Sequence, residues 1–377
     1  MFEDCVNVAR RPLAAATVLL LALTGAAGAT AATGGTGSGA NPPAPVLPAL
    51  TTRQLVGQHM VFSYAGTTPP IALQRRIRAG EAAGVILFAR NLSSRAGLRA
   101  TIARLQALHR PAGLDAPLLV MIDQEGGLVK RLSGAPSRSP AAIGRTGSTS
   151  VARSEGVATA RNLRSVGVNV NLAPVLDTAR RGSFSEALER SYSRDPAKVA
   201  ALGTAFAGAL RAGGVAATAK HFPGIGVPRV DEDSVASRIG LSQATLRRID
   251  EAPFAAAIRA RIDLVMLSTA IYPAFDRLPA LFSRRLATGE LRGHLGFQGV
   301  SITDDLETEA AAAYGSPATL ARMSTRAGAD LLLFAQSFSV GARAADGLTR
   351  DAQVGRVSVT ELRSSAARVL ALRAGLR

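Results

Sequence analysis

The sequence predicts an α/β fold, a single (β/α)8 barrel of the TIM type. Three observations carry that expectation. Short, continuous apolar runs recur along the chain, as parallel strands buried on both faces require. Gly/Asn/Asp loops and longer amphipathic stretches rich in Ala, Leu and Arg alternate with them. Eight such runs over about 320 residues fit one barrel better than a doubly wound sheet, and no Gly-x-Gly-x-x-Gly follows a first strand to mark dinucleotide binding.

In chain order, the expected strands are Met60 to Tyr64, Gly84 to Phe88, Leu118 to Asp123, Val168 to Leu172, Val215 to Lys220, Leu264 to Leu267, Gly299 to Thr303 and Leu331 to Phe334. Helical patterns include Leu98 to His109, Val151 to Val166, Pro196 to Ala212, Gln243 to Ala260 and Pro317 to Ala327. Val357 to Arg377 closes the chain as an amphipathic helix and leaves no room for a second domain. With 377 residues, 47% of them hydrophobic, the chain has ample material for one large core.

The N-terminus reads as an export signal over residues 1–32. Arg10-Arg11 precedes the apolar run Leu13 to Leu23, and Ala29-Thr30-Ala31 offers a small-residue cleavage site. That run is short for a membrane span, so no stable transmembrane segment is expected after cleavage. A Gly/Ser/Pro-rich flexible linker follows over residues 33–49, and the folded domain is expected over residues 50–377. Cys5, the only cysteine, leaves with the signal, so the mature chain has neither a disulfide nor a thiol nucleophile. A secreted or cell-wall-associated protein is the expectation.

The net charge of +17 comes almost wholly from arginine, since Lys130, Lys198 and Lys220 are the only lysines. It suits an anionic cell wall as well as it suits mere Ala/Arg/Gly bias. No basic run with interleaved aromatics occurs, which argues against nucleic acid.

Active sites of such barrels lie at the C-terminal ends of the strands, where several runs end in polar groups. The third ends in Asp123-Gln124-Glu125-Gly126-Gly127 with Arg131 close behind, the fourth in Asn171 and then Asp177, the fifth in Lys220-His221, and the seventh in Thr303-Asp304-Asp305. Metal hydrolysis wants clustered His ligands, yet His59, His109, His221 and His294 stand at no ligand spacing. Gly-x-Ser-x-Gly, the mark of an acyl-transfer elbow, occurs only in shifted register in the linker. Glycoside transfer needs two carboxyl groups flanking the bond and groups to hold sugar hydroxyls, and this rim offers both.

The segments Gly84-Val85-Ile86-Leu87-Phe88-Ala89-Arg90-Asn91, Ile122-Asp123-Gln124-Glu125-Gly126-Gly127, Asn171-Leu172-Ala173-Pro174-Val175-Leu176-Asp177, Arg190-Ser191-Tyr192-Ser193-x-Asp195-Pro196, Lys220-His221-Phe222-Pro223-Gly224-x-Gly226 and Thr303-Asp304-Asp305-Leu306 occur in that order. Together, across about Leu50 to Leu376, they resemble glycoside hydrolase family 3, in its single-domain β-N-acetylglucosaminidase (β-N-acetylhexosaminidase) branch. The resemblance implies a retaining glycosidase with Asp304 as nucleophile. It makes Asp123, Arg131, Arg190, Lys220 and His221 the residues that hold the terminal sugar, and it implies no metal and no organic cofactor. Asp305 is expected to support the following helix start. Export and the positive charge direct the expected carbohydrate substrate toward β-N-acetylglucosaminides of peptidoglycan-type wall fragments.

One loop departs from the family pattern. In this branch Lys-His-Phe-Pro-Gly-His-Gly is followed by Asp-x-His, whose His is the proton donor. Here Ile225 replaces the first loop His, and Asp231-Glu232-Asp233 stands in place of the dyad. Three readings stay open: a carboxylic acid/base at Asp233 or Glu232 beside Asp231, loss of the donor to leave a catalytically weak carbohydrate-binding protein, or a carboxylate brought in by a shifted loop. A β-glucosidase-type specificity is a further alternative.

Overall fold

The computed structural model describes residues 49–230 and 236–376. The export signal, all of the linker but its last residue, and the acidic cluster at 231–233 lie outside the described residues.

Eight parallel strands form one sheet: β1 (Met60–Phe62), β2 (Gly84–Leu87), β3 (Leu119–Ile122), β4 (Val170–Asn171), β5 (Ala216–Phe222), β6 (Leu264–Leu267), β7 (Val300–Thr303) and β8 (Leu332–Phe334). Each pairs with its sequence neighbours, and β1 pairs with β8 in the register Met60 to Leu332. The ring closes at the parallel bridge between Ile302 and Leu331. All eight expected strands are present. Their helices are α1 (Ile71–Arg78), α2 (Arg95–Gln106), α3 (Thr149–Arg164), α4 (Pro196–Ala212), α5 (Ala252–Arg259), a π-helical stretch at Arg285–His294, α6 (Pro317–Ala327) and α7 (Phe338–Gln353), followed by the terminal α8 (Val359–Ala374).

The helix starts follow local chemistry. Ser94 Oγ accepts from Gly97 N at 3.1 Å ahead of α2, and Asp195 Oδ1 accepts from Ala197 N at 2.9 Å with Pro196 in the first turn of α4. The helix expected over Gln243 to Ala260 is interrupted instead. A short turn at Gln243–Thr245 passes into a π-helical segment at Leu246–Asp250, and α5 starts afresh at Ala252. Pro253 explains the break, since it has no N–H to continue the ladder and is tolerated only in a first turn.

Strand alternation builds two cores. Val61, Ile86, Met121, Val170, Leu264, Met266, Val300, Ile302 and Leu333 fill the barrel interior, while Phe62, Val85, Leu87, Val120, Val265, Leu267 and Phe334 pack outward against the helices. This parity positions the chemistry. Asp123, Lys220 and Asp304 each continue the inward-facing series of their strand, two residues beyond Met121, Thr218 and Ile302 respectively. All three reach the C-terminal mouth of the barrel.

The opposite end is closed by a buried charge. Asp330, fully buried just before β8, accepts from Arg368 Nη2 at 2.7 Å and Ser301 N at 2.8 Å, and it also binds Arg292 and Ser365. Burial opposes its charge, but Arg292 and Arg368 outweigh it and hold the carboxyl below its ordinary pKa. This one side chain ties β7, β8, the π-helical stretch and α8 together. Asp330→Ala leaves two guanidiniums facing each other, and chemical denaturation is expected to show a loss of about 3–5 kcal/mol.

Candidate active site

At the end of β5 the apolar run gives way to Lys220, whose side chain is 3% exposed. A buried ammonium is costly without partners. Lys220 Nζ donates to Asp123 Oδ1 at 2.7 Å and lies 2.7 Å from Glu125 Oε1. Burial works against the ammonium, but the two carboxylates more than compensate and hold its pKa above the ordinary lysine value.

Glu125 is the centre of the cluster. It stands on a small hairpin formed by Gln124–Gly126 and Val129–Lys130, immediately after β3. Gln124 fixes this hairpin, because its amide donates to Leu132 O at 2.6 Å and accepts from Leu132 N at 2.9 Å. Arg190 Nε and Nη2 each donate to the Glu125 carboxylate at 2.9 Å, a two-pronged pairing. Burial disfavours the Glu125 charge, yet Arg190 and Lys220 outweigh it and hold the carboxyl well below the usual carboxylate range.

The same network runs on to His221. Arg190 Nη2 lies 3.5 Å from His221 Nε2. On the other side of the ring, Nδ1 is 2.8 Å from Asp177 Oδ2. Asp177 is completely buried, and its Oδ1 also accepts from His221 N at 3.1 Å and from Ile225 N at 2.9 Å. Burial disfavours the imidazolium, but Asp177 and, beyond it, Asp304 raise the His221 pKa, with Arg190 opposing them.

Asp304 caps the exit of β7 and is partly exposed. Its backbone N–H donates to Leu267 O at 2.9 Å, and its Oδ1 accepts from Asp305 N at 2.9 Å, so the carboxylate is held from both the β6 and β7 sides. Asp305 supports the next helix start through its backbone O, which accepts from the Thr308 hydroxyl at 3.2 Å, but it does not cap that helix. Thr308 does so, accepting from Ala311 N at 3.2 Å. Asp305 Oδ1 instead accepts from Glu307 N at 2.9 Å and Ala335 N at 3.0 Å, joining the exit of β7 to that of β8. Burial pushes its carboxyl up to about 7.

Arg131 follows the hairpin and lies with its guanidinium 5.8 Å from the centre of the Phe88 ring at the exit of β2, where Arg90 also stacks at 4.7 Å. Arg131 Nε is buried without a hydrogen-bond partner among the described residues.

Asp123, Lys220, Arg190 and His221 thus form one bonded group, with Arg131 and Asp304 on the same rim. Asp231 and Asp233 lie outside the described residues. The sequence reading missed Glu125 and Asp177 as site residues. The signal that could have found them was the placement of two carboxylates at strand ends in a rim that also carries Lys220 and Arg190, whose charges need partners when buried.

The loop after β5 is rooted by backbone contacts. A Cβ at Gly226 would come 1.8 Å from Thr178 O, so only glycine fits there. Arg180 N donates to Gly226 O at 2.9 Å, and Phe184 N to Pro228 O at 2.8 Å. Beyond the acidic cluster the chain returns to the same rim, where Ile271 N donates to Ser237 O at 2.8 Å just after β6. Among the described residues no cluster of three or more His, Cys, Asp or Glu side chains is arranged to hold a metal ion.

Comparison with known proteins agrees with this geometry. The profile of the "Glycosyl hydrolase family 3 N terminal domain" matches residues 53–372. A relative from Arthroderma benhamiae, named an uncharacterized secreted glycosyl hydrolase, is 37% identical over 85% of this chain and 92% of its own length. A β-hexosaminidase of Nitrosospira multiformis is 34% identical over 73% of this chain and 79% of its own. Among solved structures, a family 3 β-N-acetylglucosaminidase from a Paenibacillus species superposes with a TM-score of 0.83 at 34% identity, covering 87% of this chain and 63% of that one. The chain therefore spans less than two thirds of the Paenibacillus protein. The β-N-acetylhexosaminidase of Beutenbergia cavernae superposes with a TM-score of 0.76 at 30% identity over 86% of this chain and 98% of its own. With its barrel, its rim and its relatives in agreement, the chain belongs to glycoside hydrolase family 3.

Proposed function

We propose that this protein is an exported, retaining β-N-acetylhexosaminidase that removes terminal β-linked N-acetylglucosamine from cell-wall fragments of the peptidoglycan type. The observation that carries the reading is the linked group Asp123–Lys220–Glu125–Arg190–His221 facing Asp304 across the barrel mouth. Such a group is a ready sugar subsite. Asp123 accepts from hydroxyls, Lys220, Arg190 and Arg131 donate to sugar oxygens, and Asp304 is the carboxylate nearest the exit of β7 with room to attack an anomeric carbon. The names of the Nitrosospira and Beutenbergia relatives support the N-acetylhexosaminide, and the name of the Arthroderma relative supports secretion. Among the described residues no helix is long and apolar enough to cross a membrane. The leader read over residues 1–32 accounts for export, and the charge of +17 favours association with an anionic wall.

Asp304 attacks the anomeric carbon as the glycosidic bond breaks, giving a covalent glycosyl-enzyme that water then opens with net retention. A second group must protonate the leaving oxygen and later take a proton from water. We assign this to Asp233 with Asp231 beside it, since like carboxylates in one site push the pKa of one member up. The described flanks of that segment, Pro228 and Ser237, are both fastened to the rim.

The absence of the dyad His, in whose place the sequence carries Asp231-Glu232-Asp233, favours a second reading, a carbohydrate-binding protein that turns substrate over weakly. Asp304→Asn is expected to abolish release from a β-N-acetylglucosaminide aryl glycoside, whose hydrolysis by the wild type gives the β-anomer first by NMR. Unchanged turnover in that variant removes Asp304 as nucleophile. Wild type and Asp233→Ala, compared on an activated aryl glycoside and on a natural disaccharide, identify the donor. The variant is expected to lose about 10²–10⁴-fold on the disaccharide and far less on the aryl substrate, whose leaving group needs little protonation. Equal losses on both substrates contradict the assignment, and binding without turnover of either by the wild type supports the second reading.

A further inference from the structure

Behind the sugar-holding groups stands a buried carboxylate whose partners all belong to one short stretch. Asp177 Oδ2 faces His221 Nδ1 at 2.8 Å, while Oδ1 takes the backbone N–H groups of His221 at 3.1 Å and Ile225 at 2.9 Å. Asp177 is completely buried, and His221 is 4% exposed. A buried carboxylate with Oδ1 occupied by two backbone donors has Oδ2 left to receive a third, and the ring nitrogen opposite it must therefore carry a hydrogen. The other ring nitrogen, Nε2, is turned toward Arg190 Nη2, itself a donor, at 3.5 Å. Both sides of the ring thus impose the same tautomer.

We propose that Asp177 is a positioning residue that keeps the proton of neutral His221 on Nδ1, so that the Nε2 lone pair accepts from Arg190 Nη2 and aims that guanidinium, already paired with Glu125, at the sugar subsite. This role rests on the glycosidase reading above and deepens it. His221 thereby helps to fix one of the donors of the subsite, beside Lys220 and Arg131, while Asp123 remains the acceptor for sugar hydroxyls. The charged groups facing the ring are Asp177, Asp304 and Arg190, and none of them supplies a donor on the Nδ1 side.

Asp177→Asn preserves shape but inverts the hydrogen bond. The carboxamide oxygen of the variant can still take the two backbone N–H groups, which leaves its NH₂ against Nδ1 and drives the ring proton to Nε2. There it meets the N–H of Arg190. With only four histidines in the chain, ¹⁵N-edited NMR of the imidazoles at alkaline pH can assign His221 and read its tautomer directly. The wild type is expected to carry the proton on Nδ1 and the variant on Nε2. The folded variant is further expected to lose about 10–100-fold in affinity for N-acetylglucosamine, the size of one hydrogen bond replaced by a clash of donors in a buried site. A purely structural role lowers the melting temperature but leaves the tautomer and the affinity of the folded fraction unchanged, and that result overturns the proposal. If Asp177→Asn fails to fold, the wild-type spectrum alone decides, because a neutral His221 protonated at Nε2 is incompatible with the assignment. The tautomer needs no turnover to be read, so its outcome stands apart from whether the protein hydrolyses the proposed substrate.

Discussion

A lysine ammonium buried at the barrel mouth governs how the site is built. Lys220 leaves water because it continues the inward series of β5, and its charge is tolerable only with Asp123 and Glu125 against it. Glu125, itself buried, then binds Arg190 with both oxygens, and Arg190 faces the ring that Asp177 holds. Positive and negative groups alternate along this chain, and each is satisfied by the next. The members come from the ends of β3, β4 and β5 and from the loop before α4, so the subsite exists only when the barrel is closed.

Closure is secured at the other end. Asp330 and its two arginines fasten β7, β8 and α8 at that end, while the C-terminal rim gathers its buried charges around Lys220. Both clusters use the same physics of a buried carboxylate held below its ordinary pKa by guanidinium or ammonium partners. They differ in access. Asp330 is fully buried, whereas Asp123, Arg131 and Asp304 keep part of their surface open at the mouth.

Much of this was legible in the sequence. Strands buried on both faces read as unbroken apolar runs, which is why all eight were found, and the polar residues at their ends pointed to the rim. Boundaries were less legible. Val168 to Leu172 is regular only over the two residues Val170–Asn171, although the chain runs on beside β5, with Ala173 O accepting from Thr218 N at 2.9 Å and Leu176 N donating to Lys220 O at 2.6 Å, and Pro253 split a stretch whose periodicity suggested one helix. Glu125 and Asp177 escaped because they are buried and bind other side chains of the rim, Arg190 and Lys220 in one case and His221 in the other. A carboxylate that orients a cation or a ring looks, in one sequence, like any turn-forming acid. A further role of Asp305 was hidden for a related reason, since its carboxylate also accepts from Ala335 N at the exit of β8, thirty residues away, which local patterning does not reveal.

If the Lys220 network holds the sugar while Asp304 bonds to it covalently, that bond can be trapped. The reagent is a 5-fluoro N-acetylglucosaminyl fluoride, which reacts without help from an acid but is released slowly, and the readout is proteolysis followed by mass spectrometry. A single fluorosugar adduct on the peptide that contains Asp304 is expected. An adduct on a different carboxylate, or rapid turnover of the reagent by a protein that carries no adduct at all, contradicts the assignment.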